Sequence, residues 1–271
     1  MKDDYNTPWR LMSTAIYTAP SDGKVFGTLE ADVTDVLRYI QRQKENGLHL
    51  TVTHIVTAVV ARALAYDAPD INCFVRRGRL VPRDYVDVAV AVNIKGGREM
   101  ASIVVRNAHQ KTVSEIGEEI RTRAEAERQG DKGKSMQSKY LLSKVPWPLR
   151  RWLFKLIRGI VNGLGIQLKS LGLSDRSFGS ILVTNIGSHG LSTAYAALFP
   201  AAKLPAVIVM GKIEEKPVVR DGEIIIRSIL PISATFDHRV ADANQISRLA
   251  QGALKLLAAP EKLESVEATD V

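Results

Sequence analysis

A single cysteine, Cys73, is all that the 271 residues contain. One thiol excludes an internal disulfide framework and a cysteine-rich metal site, and it suits a reducing compartment. A long apolar run is missing too: the longest, near Leu191 to Met210, is interrupted by Pro200, Lys203 and Pro205, which a lone membrane-spanning helix tolerates badly. The first residues, Met1-Lys2-Asp3-Asp4-Tyr5, lack the apolar stretch of a signal peptide. Cytoplasmic residence is the resulting expectation. No repeat or low-complexity tract is present, which excludes a solenoid and a disordered chain.

The net charge of +8 raises nucleic acid as a partner, because clustered lysine and arginine neutralise phosphates and release counterions. Its placement argues against that. Much of the excess lies between Lys132 and Lys169, with no recognised nucleic-acid motif beside it, so no nucleic acid is expected.

What is present is enough apolar residue, 45%, to bury a substantial core. Val52, Ile55, Val56, Val59, Val60, Ala63 and Leu64 form one stripe at helical spacing. Val36, Leu37 and Ile40 give a shorter version within Asp35 to Arg42. The segments Cys73 to Val75 and Arg79 to Val81 flank Arg77-Gly78 as a hairpin, and Val86 to Ile94 and Ile103 to Val105 read as strands. A helix follows over Val113 to Arg128, its acids Glu115, Glu118 and Glu119 near the N-terminal end, where the dipole favours them. Strands return at Ala206 to Met210, Pro217 to Val219 and Glu223 to Ile229, the last two joined by Asp221-Gly222. A closing helix runs through Ile246, Leu249, Ala250, Ala253, Leu254 and Leu257. Strands mixed with covering helices predict an α/β sandwich, one domain over 1–271 with an insertion near 129–173.

The candidate site is Asp237-His238-Arg239-Val240-Ala241-Asp242, between a predicted strand and the last helix. Such a junction holds a side chain exposed and well positioned. Histidine there can take a proton from a hydroxyl or thiol and return it, and an aspartate four residues on can orient the loop or support the ring. A surface histidine beside a chance aspartate has the same spacing, so chemistry alone leaves both readings open.

The run Thr235-Phe236-Asp237-His238-Arg239-Val240-Ala241-Asp242 resembles the signature of the 2-oxoacid dehydrogenase acyltransferases, usually Asp-His-Arg-x-x-Asp-Gly. Further segments fall in that family's order: Pro69-Asp70-Ile71-Asn72 followed by Tyr85 to Val92, then Thr112 to Ile116, then Val183-Thr184-Asn185-Ile186-Gly187. The resemblance implies the two-layer, chloramphenicol acetyltransferase-like sandwich, a mixed sheet covered by helices. It implies acyl transfer between coenzyme A and a thiol or other small acceptor, with no metal and no covalent enzyme intermediate. By the same resemblance His238 is the general base, Thr184 stands where the family has a serine whose hydroxyl bonds the tetrahedral oxyanion, and Asp242 supports the loop through an ion pair. Asp237 and Arg239 belong to that scaffold. The family is built as a trimer with its active site between subunits, so His238 and Thr184 are expected from different chains.

The chain departs from that pattern in five ways. Ala243 replaces a glycine, which matters only if the position needs a positive φ. Arg10 is the one candidate left in the first segment for the partner of Asp242. The run Gly96 to Ser102 replaces the usual Gly-Leu-Val-Val-Pro, which opens the choice of donor or acceptor and also a non-catalytic trimeric scaffold of the same fold. No lipoyl domain is expected before residue 24, so the acceptor arrives separately, as a lipoylated protein or a small molecule. The insertion carries Leu149, Trp152, Leu153, Leu156, Ile157, Ile160, Val161, Leu164 and Leu168 at helical spacing opposite Arg150, Arg151, Lys155 and Arg158. A basic amphipathic helix over Leu149–Leu168 either lies on an anionic membrane or packs on protein, and packing is the expectation because core-facing helices share that stripe.

Overall fold

The computed structural model describes residues 23–94, 99–128, 178–198 and 202–266, with single residues 146, 149, 156 and 176 between them. The predicted amphipathic helix at 149–168 and the candidate Arg10 lie outside the described residues, apart from Leu149 and Leu156, which are exposed.

Nine strands and four α-helices are described. Strands β1 (Lys24–Asp32), β4 (Val88–Ile94), β5 (Glu99–Val105), β6 (Ile181–Asn185), β7 (Ala206–Met210), β8 (Glu214–Arg220) and β9 (Glu223–Asp237) make one seven-stranded sheet. Its order is β1-β9-β7-β6-β4-β5, with β8 also on β9. The pairs β4/β6 and β6/β7 are parallel and the rest antiparallel, so the sheet is mixed. Strands β2 (Cys73–Arg76) and β3 (Arg79–Pro82) form a separate hairpin.

The helices α1 (Thr34–Glu45), α2 (Val52–Arg62), α3 (Val113–Arg128) and α4 (Ala243–Leu257) share one buried cluster with Val88, Val90, Ile181, Val183, Ile208, Ala234 and Phe236 of the sheet. Side chains alternate across a strand, so these sheet residues mark the helix-covered face. Their neighbours Leu182, Val207 and Val209 face the other way, into a small cluster with Ala194, Ala196, Leu198, Ala202 and Leu204. That second face has no α-helix on it among the described residues. The expected two-layer sandwich is therefore present, helices on one side of a mixed sheet.

Local sequence explains most elements. Thr51 caps α2, its hydroxyl accepting from the His54 N–H at 3.3 Å, and the predicted stripe is buried from Ile55 to Leu64, with Val52 half-buried. The turn Asp221-Gly222 has φ of +51° and +84°, the two left-handed positions of a tight hairpin, as that dipeptide predicts. After Arg62 the helix continues as a π-helical turn over Ala63–Asp67. The structure goes beyond the sequence reading in three elements: β1 and β6 are strands it does not assign, and β9 runs on to Asp237. Strands β1 and β9 pair with each other from Lys24↔Asp237 to Asp32↔Ile229.

Candidate active site

The junction of β9 and α4 is held from three directions. The Asp237 N–H donates to Pro205 O at 2.8 Å, and the His238 N–H donates to Gly23 O at 2.7 Å. The Asp237 carbonyl accepts from the N–H groups of Val240 at 2.9 Å and Ala241 at 3.1 Å, closing a turn that carries the imidazole. His238 Nδ1 lies 3.0 Å from the Ala241 carbonyl oxygen. A carbonyl only accepts, so Nδ1 is the protonated nitrogen in the neutral ring and Nε2 is left with the lone pair. The turn thereby fixes the tautomer a general base needs.

Asp237 is bound by its neighbour: Arg239 Nη2 lies 2.6 Å from Oδ2, and the Arg239 N–H donates to Oδ1 at 3.0 Å. Burial alone would raise the Asp237 carboxyl, but the guanidinium and the N–H outweigh it and hold the group below its ordinary value. Asp242 caps α4. Its carboxylate accepts from the Asn244 N–H at 2.9 Å while its own N–H donates to Gln245 Oε1 at 3.1 Å, a reciprocal capping box. So the structure places His238 and Asp242 on one turn, with Asp242 acting on the helix end; no ion pair of Asp242 is seen among the described residues. Ala243 begins α4 and is not among the positive-φ residues, so a glycine is not required there.

Thr184 sits elsewhere. It follows the core residue Val183 and so points to the helix-free face, half-buried. It is in register with Val209, and Val209 with Ser233. Ser233 is five residues before His238 on β9. At about 3.3 Å per residue and about 4.8 Å per strand, the backbones of Thr184 and His238 are roughly 19 Å apart. Within one chain the two cannot touch the same reacting carbonyl.

The loop after Thr184 is pinned to the end of β7. Ile186 N–H donates to Met210 O and Lys212 N–H to Leu191 O, both at 2.9 Å. The approach requires glycine: a Cβ on Gly187 would stand 2.3 Å from Gly211 O, and one on Gly211 would stand 1.9 Å from Ser192 O. Asn185 Nδ2 donates to Thr53 Oγ1 at 3.2 Å, tying β6 to the start of α2. Farther along the same loop His189 Nε2 lies 2.9 Å from Asn93 Nδ2. The sequence reading did not single out Asn185, Gly211 or His189, although Asn185 and Gly187 stand inside the run that drew attention to Thr184. Of the altered segment, 96–98 lie outside the described residues, and Glu99 to Ser102 open β5. Among the described residues no group of three or more His, Cys, Asp or Glu is placed to hold a metal ion.

Known proteins match this arrangement. The family model described as 2-oxoacid dehydrogenases acyltransferase (catalytic domain) covers residues 11–138 and 166–264. The dihydrolipoyllysine-residue acetyltransferase component of the Bacillus subtilis pyruvate dehydrogenase complex is 26% identical over 234 residues, 81% of this chain and 43% of that protein. The chain thus spans less than half the length of this curated relative. A dihydrolipoamide acetyltransferase structure from Azotobacter vinelandii superposes with a TM-score of 0.63 at 20% identity, covering 90% of this chain and 84% of that one. In that protein a serine, a histidine 52 residues later and an asparagine four residues after the histidine have been investigated for their role in the catalytic mechanism. Chloramphenicol acetyltransferase superposes with a TM-score of 0.50 at 16% identity, over 87% of this chain and 89% of that one. With more than half of its residues matched by the family model, the chain belongs to the 2-oxoacid dehydrogenase acyltransferases as a catalytic domain of that family.

Proposed function

We propose that this domain transfers an acyl group between coenzyme A and a thiol, of the lipoyl type or on another small acceptor, with His238 as general base. The observation that carries the reading is the contact of His238 Nδ1 with the Ala241 carbonyl, which leaves Nε2 to take a proton. The acceptor thiol gives its proton to Nε2 as its sulfur attacks the thioester carbonyl. The oxyanion that forms accepts a hydrogen bond from the Thr184 hydroxyl. Collapse breaks the bond to coenzyme A, and its thiolate leaves with the proton from the imidazolium. Spacing supports the roles: Thr184, His238 and Asp242 stand 54 and four residues apart, close to the 52 and four of the Azotobacter serine, histidine and asparagine. A screen of acyl-coenzyme A donors for thiol release tests the reading, and release from none of them with thiol acceptors present would overturn it.

The site is shared between copies of the chain in a homotrimer. Thr184 and His238 are too far apart to meet within one copy, and the sheet face carrying Thr184 lacks a helical cover among the described residues. The β8–β9 hairpin adds an apolar face of its own: Pro217 pairs with Ile226 and Val219 with Ile224, and Val219, Ile224 and Ile226 are 66%, 76% and 72% exposed. Burying such side chains is worth about 1.5–3 kcal/mol each, which favours a neighbouring copy against them. Light scattering is expected to give a mass of three chains or a multiple of three. A monomer that retains full activity would refute the shared site.

The oxyanion role makes its own prediction. Thr184→Ala is expected to lower turnover by roughly ten- to a thousandfold, and Thr184→Ser only mildly, because serine keeps the hydroxyl. Equal losses in the two variants would show that the hydroxyl is not the active group.

A further inference from the structure

We infer that the helix-free face of the sheet carries, beside Thr184, a hollow that receives the acyl group and selects a chain bearing an uncharged oxygen close to the thioester, a 3-oxo or 3-hydroxy group. Its polar wall is made by Ser102, Asn93 and His189. The inference rests on the acyl-transfer reading and deepens it by naming the class of donor.

Strand register builds the hollow. Ser102 pairs with Ala91. Ala91 stands one residue beyond Val90, which is in register with Val183, so Ala91 lies beside Thr184. Val90 and Val183 belong to the cluster under the helices, and their neighbours Ala91 and Thr184 therefore point to the helix-free face, as does Ser102, the partner of Ala91. The row Ser102, Ala91, Thr184 thus crosses three strands, with a methyl group at its centre and a hydroxyl at each end. Asn93 follows two residues after Ala91 on the same face, roughly 8 Å from Thr184 at about 3.3 Å per residue and about 4.8 Å between strands. His189 closes that end from the loop after β6, its Nε2 2.9 Å from Asn93 Nδ2. On the other side of Thr184 the apolar cluster of Leu182, Val209 and Ile186 bounds the space.

The polar wall offers donors. An amide nitrogen only donates, so Asn93 gives a hydrogen to Nε2, and the neutral His189 ring carries its own proton on Nδ1. Among the described residues no partner engages that Nδ1 or the hydroxyls of Ser102 and Thr184. Thr184 and Ser102 stand two strands apart, about 10 Å. A hydrogen bond of about 2.8 Å at each end, with a 3-oxoacyl stretch between them, spans that gap. The thioester oxygen then meets Thr184, and the second oxygen meets Ser102 or His189. A plain alkyl chain takes these donors out of water and returns no bond, whereas a carboxylate gives up far more hydration than an oxo or hydroxyl group does.

Donors matched in chain length test the hollow in the full protein. Acetoacetyl-, 3-hydroxybutyryl- and butyryl-coenzyme A differ at one carbon, and comparing variant with wild type removes their differences in intrinsic reactivity. The wild type is expected to favour at least one oxygenated donor over butyryl in kcat/KM. A Ser102→Ala, His189→Ala double variant is expected to lose that preference by about tenfold, with butyryl transfer little changed. The donor that responds identifies the oxygen as oxo or hydroxyl. Ser102→Thr with His189→Gln keeps a donor at both positions and is expected to keep much of the preference. Filling the floor with Ala91→Val, a residue that strands accept readily, is expected to slow the four-carbon donors several-fold more than acetyl-coenzyme A. A preference that the double variant leaves unchanged, equal losses on all three donors, or a wild-type preference for butyryl or succinyl donors would overturn the inference. If the wild type transfers nothing from any donor, the acyl-transfer reading fails by itself, and calorimetry with the same three esters then judges the hollow. Tighter binding of an oxygenated ester that the double variant loses supports it; equal binding of all three, or none, overturns it.

Discussion

His238→Ala is expected to lower acyl transfer by on the order of a hundredfold or more while leaving the fold in place. The size of the effect follows from the ring's job. Without a base, the attacking thiol must lose its proton to solvent, and a hundredfold loss corresponds to about 2.7 kcal/mol of transition-state stabilisation. The fold survives because, among the described residues, the exposed side chain makes one hydrogen bond, to Ala241 O. The structural bond at this residue is made by its backbone N–H to Gly23 O, which alanine retains. Circular dichroism and melting should therefore match the wild type while thiol release from an acyl-coenzyme A collapses. A purified, folded variant with undiminished turnover would remove His238 from the chemistry.

The part of this fold that the sequence displays is the part decided by near neighbours. The stripe from Val52 to Leu64 is visible because each apolar residue reports the same buried face, and Asp221-Gly222 is visible because few other dipeptides accept two left-handed positions in succession. Strand β1 is hidden for the opposite reason. Val25, Gly27, Leu29 and Ala31 alternate inward, but a glycine in the row and the exposed Phe26 on the opposite face blur the pattern, and its partner lies some two hundred residues away on β9. The π-helical turn after Arg62 leaves no periodic signal in a five-residue stretch.

The candidate site divides in the same way. His238 and Asp242 stand in one short run, so their proximity is legible, yet the chemistry of the ring depends on the Ala241 carbonyl, a group that every residue possesses and no sequence singles out. The capping role of Asp242 becomes clear only once α4 is seen to begin at Ala243. Thr184 is recognisable in its motif, whereas the separation of roughly 19 Å from His238 emerges from strand register.

Asp87→Asn is expected to be among the most destabilising single changes in the domain. The Asp87 side chain is fully buried, and it is the centre of a network. Arg106 Nη1 approaches Oδ2 at 2.6 Å, Arg176 Nε also at 2.6 Å, and Arg176 Nη2 lies 3.0 Å from Oδ1. The Asn107 N–H donates to Oδ1 at 2.8 Å, in a residue held at a left-handed φ of +47°. Arg176 also stacks over Tyr85, its guanidinium 4.4 Å from the ring centre. One carboxylate thus joins the start of β4, the turn after β5 and the chain just ahead of β6, the strand that carries Thr184. An amide there loses the charge and presents N–H groups to arginines that only donate. The expected cost is about 2–4 kcal/mol at neutral pH, less than for a wholly buried pair because the two arginines, 40% and 43% exposed, can turn to water. In melting temperature that is roughly a 5–15 °C fall for a domain of this size. The pH dependence fixes the cause. Burial by itself would raise the Asp87 carboxyl, but the hydrogen bonds from Arg176, Asn107 and Arg106 outweigh it and leave the group below its ordinary value. A depressed carboxyl stabilises the fold fully above its unfolded value of about 3.9, and that contribution fades as pH falls through the folded value. Wild type and variant should therefore differ most at neutral pH and converge in acid. Equal denaturation midpoints at pH 7, or a gap that widens as pH falls, would show that the network does not hold these three segments together.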